Sequence, residues 1–232
     1  MANFLVIAAS SGIGQATTSM LKLAGHTVFA TARSQSKIQP DAILDATDFD
    51  AVDEVFKQAG ELDGVVNCSG SMLLKPAHLT SKEQFQSIID ASLTTSFATV
   101  RSAGKHMNKG GSVVLISSAA AMEGIANHEA IAAAKSAIIG LTLSAAATYA
   151  PQNLRINTVA PGLTETPLTS AITNNANSRK FSEAMHALGR LGKPEDIARA
   201  IVFLLDPVNS WITGQVLAVD GGLSRVRPKI KV

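Results

Sequence analysis

Short apolar runs alternate with amphipathic stretches along the whole chain. Residues 3–8 form the first run. Over 13–24 the apolar side chains of Ile13, Ala16, Met20 and Ala24 recur at helical spacing, and Gly25 follows as a C-terminal cap. Runs at 27–32, 42–45 and 64–67 predict three further strands, and residues 49–59 predict a helix between the last two. Thr80-Ser81-Lys82-Glu83 has the capping-box pattern and opens a helix predicted to continue to about residue 107. A fifth strand at 112–117, a helix from about 128 to 150 and a sixth strand at 154–159 follow. Pro194 suits the first position of a helix over 194–205, and 215–219 makes a seventh strand. Residues 161–192 break the rhythm. Their Thr-, Asn- and Ser-rich composition predicts a mobile loop with a small helix, suited to cover a bound substrate.

Strands separated by helices imply βαβ units joined by right-handed crossovers. The expected fold is α/β: a doubly wound, parallel, seven-stranded sheet with helices on both faces, in a single domain over 1–232. Composition supports this. Apolar residues make up 46% of the 232 and aromatics only 4%, so the core is aliphatic, as buried parallel strands require. A net charge of +2 argues against a general nucleic-acid surface. Arg225, Arg227, Lys229 and Lys231 crowd the C-terminal tail. Two readings stay open there: a solvated tail, or one that folds over a phosphate-bearing ligand or a neighbouring subunit. The single Cys68 excludes a disulfide framework within the chain and fits a reducing compartment. The run from 4 to 9 is too short to span a membrane and has no basic segment before it. The expectation is a cytoplasmic protein without membrane contact.

Candidate chemistry begins at the first strand-to-helix turn, Ala8-Ala9-Ser10-Ser11-Gly12-Ile13-Gly14. Glycines there let backbone approach an anion, and the following helix offers free N–H groups and the positive end of its dipole. A plain tight turn is the alternative. An alanine at position 8 is tolerable at negative φ and costs stability at positive φ. The second strand ends in Ala32-Arg33. No acid stands there to accept from a ribose hydroxyl, and Arg33 can pair with a phosphate. A solvated loop arginine is the competing reading. The histidines show no metal-ligand pairing, so no metal site is expected.

Several segments together resemble the short-chain dehydrogenase/reductase family, a Rossmann-like fold. The turn at 8–14 is similar to the family's Thr-Gly-x-x-x-Gly-x-Gly, with Gly12 and Gly14 matching. Asp45 in Asp-Ala-Thr, Asn67-Cys68-Ser69-Gly70, Arg155-Ile156-Asn157 through Pro161-Gly162, and Thr213-Gly214 through Asp220-Gly221-Gly222 are also close to family wording. The resemblance implies a dinucleotide bound by Ser10, Ser11, Gly12, Ile13, Gly14, Arg33, Asp45, Asn67, Ser69, Gly70, Lys135, Pro161, Gly162, Thr164 and Thr166. Arg33 after Ala32 favours NADP(H) over NAD(H).

The same resemblance places a catalytic serine, tyrosine, lysine and asparagine. Ser118 and Lys135 match, Ile131 stands at the tyrosine position, and Ser92 stands at the asparagine position. Isoleucine cannot pass a proton to a carbonyl oxygen. General acid catalysis is worth about 10²–10⁴-fold, or roughly 3–5 kcal/mol, so reduction is slowed unless another acid serves. Seven residues before Lys135, His128 shares its helix face and is the nominated substitute. A surface histidine at a helix start is the alternative reading. Tyr149 lies 14 residues after Lys135, about 21 Å along a helix, too far to replace the phenol.

Three functions follow as expectations. The first is an NADP(H)-dependent oxidoreductase acting on a small-molecule carbonyl or alcohol, with an altered proton donor. The second is a cofactor-binding sensor or scaffold without turnover, and the third is a lyase or isomerase on the same fold. The helix over 128–150 is apolar nearly all round, so a second surface should cover the side that the sheet does not. The expected assembly is a homodimer or homotetramer.

Overall fold

The apolar runs pair as parallel strands in the order β3-β2-β1-β4-β5-β6-β7. These are β1 (Asn3–Ile7), β2 (Thr27–Ala32), β3 (Ala42–Ile43), β4 (Gly64–Asn67), β5 (Gly111–Ile116), β6 (Leu154–Pro161) and β7 (Val216–Val219). The computed structural model describes residues 1–35 and 38–227. Side chains alternate across each strand. On one face Leu5, Ile7, Val65, Val113, Leu115 and Ile156 join one core. On the other Phe4, Val6, Val66, Val114 and Val159 join a second. The helices are α1 (Gly12–Leu23), α2 (Phe49–Ala59), α3 (Lys82–Ile89), α4 (Thr95–His106), α5 (Glu129–Tyr149), α6 (Ser170–Thr173), α7 (Ala176–Met185) and α8 (Pro194–Leu205); α1 and α8 cover one face, and α2, α4 and α5 the other. Leu21 of α1 and Ile197, Ile201 and Leu204 of α8 close one core. Val52, Val55 and Phe56 of α2, Ala98 and Ala103 of α4 and Ile138 of α5 close the other. This single doubly wound domain is the expected architecture.

Strand and helix bounds agree with the sequence reading to within two residues, with two instructive exceptions. The helix expected from residue 80 to about 107 is interrupted by a π-turn at Asp90–Thr94. Hydroxyls there take up carbonyls that a regular helix would use. Thr95 Oγ1 donates to Ala91 O and Ser92 O at 3.2 and 3.1 Å, and Ser96 Oγ donates to Ser92 O at 2.7 Å. Such back-bonding lets a turn widen without leaving a buried carbonyl unpaired. The second exception is 161–192, which holds more helix than expected. Asn175 caps α7 by accepting from Ser178 N–H at 3.0 Å, and Arg179 pairs with Glu183 one turn on at 2.9 Å. Local capping and pairing outweigh the polar composition.

β1 and β4 stay paired to Ile7 and Asn67, and the chain order reverses between them, so the segments that leave the two strands part. In open α/β sheets that crevice takes ligands. Here the segments following β1, β4, β5 and β6 all reach one cleft of ≈ 1740 Å³.

Candidate active site

The turn from β1 into α1 forms one wall. Ser11 is the N-cap of α1, and its Oγ accepts from Gly14 N–H at 3.0 Å. Ser10, Ser11, Gly12 and Ile13 line the cleft at the positive end of that helix. Gly14 lies behind them. A Cβ there would sit 2.5 Å from Ala8 O and 2.8 Å from Ala9 Cα, so only glycine permits this packing. At Gly12 a Cβ would fall 2.9 Å from Thr166 Cγ2, so its absence lets the loop after β6 close over the turn. Ala8 has φ +57°, the left-handed conformation that favours glycine. The costly alternative for this position is thus the one adopted.

Around the rim the cleft is polar. Arg33 is exposed at the end of β2, and Asp45 stands opposite it on the lining. The Asp45 carboxyl is held below the ordinary carboxylate range by hydrogen bonds from the Thr47 N–H (3.0 Å) and hydroxyl (2.7 Å), with a smaller attraction from Arg33. Ser69 and Gly70 line the cleft after β4. Pro161, Gly162, Thr164 and Thr166 line it after β6, where Thr164 Oγ1 donates to Gly162 O at 3.1 Å.

Ser118, His128, Ile131 and Lys135 all line the same cleft. Ser118 Oγ accepts from Ala120 N–H at 3.1 Å, which leaves its own proton free to donate. Lys135 is buried, with only 5% of its surface exposed, and its Nζ donates to Ile116 O at 2.8 Å. It has no ion pair among the described residues. Burial pushes the ammonium down to about 8, with a weaker opposing pull from Cys68, whose own thiol burial pushes up to about 12. Because the folded value lies below the ordinary 10.5, the native state binds fewer protons than the unfolded chain between these limits. Stability contributed by this site should therefore rise from about pH 8 to 10.5, by roughly 3 kcal/mol. Chemical denaturation across that range should show the rise in the wild type and its loss in Lys135→Met.

His128 lies at the first turn of α5, partly exposed, and its Nδ1–H donates to Ala126 O at 2.8 Å. That bond fixes the neutral tautomer with an unprotonated Nε2, so only the imidazolium has a proton to give toward the cleft. Ile131 is 6% exposed, among Ile88, Ala130 and Ala134 with Leu73 against them.

Besides Gly14, two expected site residues, Asn67 and Ser92, do not reach the cleft lining. Asn67 is buried, with its amide donating to Thr99 Oγ1 at 2.9 Å and its carbonyl accepting from Ser69 N–H at 2.8 Å. It shapes the turn that presents Ser69 and Gly70. Ser92 is fully buried in the π-turn, and its Oγ has no hydrogen-bond partner among the described residues. Its side chain is too short to leave the helix packing. Tyr149 does not line the cleft and instead packs on Gly104, where a Cβ would fall 2.4 Å from its ring.

Sequence reasoning missed His186. It is buried against the cleft, its Nδ1–H donates to Ser182 O at 2.7 Å, and its Nε2 accepts from Leu163 N–H at 3.2 Å. It ties the end of α7 to the turn after β6, and a lone histidine far along the chain gives no local signal of that. Arg227 pairs with Glu123 at 2.7 Å, across 104 residues, and Leu223 lines the cleft. Lys229 and Lys231 lie outside the described residues.

Comparison with known proteins places this geometry. The family model described as enoyl-(acyl carrier protein) reductase matches residues 7–224. The 3-oxoacyl-[acyl-carrier-protein] reductase FabG of Thermotoga maritima is 34% identical over 241 residues, covering 94% of this chain and 96% of that protein. The cis-4-hydroxycyclohexanecarboxylate dehydrogenase of Sinomonas cyclohexanicum is 35% identical, covering 96% of each. Among solved structures, a short-chain type dehydrogenase/reductase from Mycobacterium ulcerans superposes with a TM-score of 0.92 at 30% identity, over 98% of this chain and 91% of that one. ElxO with NADP bound gives 0.88 at 29% identity, over 96% and 99%. On a match of this extent, the chain belongs to the short-chain dehydrogenase/reductase family.

Proposed function

We propose that the protein is an NADP(H)-dependent oxidoreductase acting on a small carbonyl or alcohol substrate, with an altered proton-donor site. The observation that carries the cofactor reading is Arg33 at the rim of the cleft, directly after a buried Ala32, so that neither position holds an acid. A guanidinium there suits a 2′-phosphate, and an acid would repel it. The residues fit the rest of the group. The close approach at Gly12 and Gly14 leaves the α1 N-terminus open to a pyrophosphate, and Asp45 offers an acceptor toward the adenine end. When bound, the nicotinamide supplies or accepts a hydride. Ser118 would hold the substrate oxygen by a hydrogen bond from its hydroxyl, and Lys135 would hold the nicotinamide ribose through N–H not used by Ile116 O. Met72, Leu74, Ile125, Leu163, Phe181 and Leu223 line the cleft together with polar Gln86, Asp90, Asn177 and Ser178, and the apolar group favours a substrate that carries hydrocarbon. The segment over 161–192 covers the site.

Arg33→Ala tests the cofactor assignment. Loss of a charge-assisted contact should weaken NADPH binding about tenfold or more, with NADH little changed, in a fluorescence titration. Tighter binding of NADH than NADPH by the wild type would sink the assignment. A second reading, cofactor binding without turnover, draws on Ile131 in an apolar cluster and the unpartnered Ser92 hydroxyl. NADPH binding with no oxidation across a panel of apolar ketones and aldehydes would favour it.

We also propose a homodimer or homotetramer. One face of α5 is buried, but Leu143 on its other side and the neighbouring Phe97 of α4 are about half exposed. Val208 and Trp211, exposed at 85% and 98%, make a second apolar area near Phe203 of α8 and Leu217 of β7. Light scattering at micromolar concentration should give at least twice the 24.1 kDa of one chain. A monomer there would contradict the assembly.

A further inference from the structure

One group in the cleft is left with more chemistry than ribose binding uses. A lysine ammonium normally stays in water or pairs with a carboxylate, because burying an unpaired charge is costly. Lys135 does neither. It is 95% removed from solvent by its 5% exposure, its one hydrogen-bond acceptor is the neutral Ile116 O, and no carboxylate pairs with it among the described residues. It nevertheless faces the cleft rather than the core. Gly70 lines the same cleft, with its backbone so near that a Cβ added there would come within 3.3 Å of Nζ. One turn earlier on the same helix face, Ile131 presents hydrocarbon.

We propose that Lys135 is a nucleophilic amine that condenses with small apolar aldehydes entering the cleft. The reaction needs only the protein and the aldehyde. The neutral Nζ lone pair attacks the carbonyl carbon, and a C–N bond forms as the C=O π pair moves to oxygen. Cleft water carries a proton from nitrogen to that oxygen, giving a carbinolamine. Loss of one water molecule leaves the imine.

The electrostatics agree with the geometry. With its ammonium pushed down to about 8, Lys135 is half neutral at that pH, about a hundredfold more than an ordinary lysine near 10.4. The neighbouring Cys68 thiol, pushed up to about 12, keeps its proton and does not compete. Desolvation in an apolar site is a general way to activate a lysine for carbonyl chemistry. The inference goes beyond the proposed oxidoreductase reading and does not rest on it, since it concerns the protein without nucleotide.

The test is reductive trapping on the whole, nucleotide-free protein. Benzaldehyde and cyanoborohydride are added between pH 7 and 10, and modified lysines are located by peptide mass mapping. Lys135 should be labelled more than tenfold faster than Lys82 at the cleft lining, with a midpoint near 8. The preference should disappear in denaturant, and Lys135→Arg should lose one adduct by intact mass. Labelling of Lys135 no faster than Lys82, or none, overturns the inference. So does a preference that survives unfolding. Because mapping the wild type decides the matter, a poorly folded variant does not.

Discussion

Ile131→Tyr is expected to raise the rate of NADPH-dependent carbonyl reduction by about 10²–10⁴-fold, the usual worth of a positioned general acid. The position is favourable. Ile131 lines the same cleft as Ser118 and precedes Lys135 by one helical turn. A phenol growing from that Cβ would stand near an ammonium that stabilises the phenolate and a serine whose proton is free. Overpacking against Ile88, Ala134 and Leu73 should cost about 1–3 kcal/mol, which a thermal melt run in parallel would show. The measurement is kcat/KM across apolar ketones and aldehydes. A wild type that already reduces them rapidly, and a variant that adds nothing, would mean that the proton reaches the substrate by another route.

The second large effect belongs to the turn beneath the nucleotide. Gly14→Ala should destabilise the fold by about 3 kcal/mol or more and abolish NADPH binding, because the new methyl would meet backbone at 2.5 and 2.8 Å rather than a movable side chain. Ala8 O, Ala9 and the first turn of α1 would have to separate, which misaligns the N–H groups that face the cleft. Ala8→Gly should act in the opposite direction. It removes the strain of φ +57° and should stabilise by up to about 1 kcal/mol without weakening nucleotide binding. Equilibrium denaturation of the two variants beside the wild type measures both. Equal stabilities for Gly14→Ala and the wild type would refute the packing argument.

Much of this was legible before any coordinates. The strands at 27–32 and 64–67 and the helices at 49–59 and 194–205 are marked by apolar runs, capping residues and a proline at N1, all local signals. Gly12, Gly14, Ser118 and Lys135 were nominated from short motifs, and three of these four line the cleft with Gly14 packed beneath it. What was not legible shares a cause. Asn67 and Ser92 were read by position in a motif, but what each side chain reaches depends on Thr99 and on the π-turn, and neither can be read from neighbours in sequence. His186 was missed because its partner Leu163 lies 23 residues away.

The order of apolar runs, glycines and caps along the chain determined a doubly wound parallel sheet and the place of its crevice, because parallel crossovers leave few ways to bury those runs. It also determined that Lys135 stands without a tyrosine one turn before it. Only the tertiary structure decided what that lysine is. Packing of α5 against the end of β5 takes its amine out of water, gives it one carbonyl and no carboxylate among the described residues, and leaves it facing the cleft. Burial and partners are properties of surfaces brought together by the fold, so the chemistry of this amine is set by residues far from it in sequence.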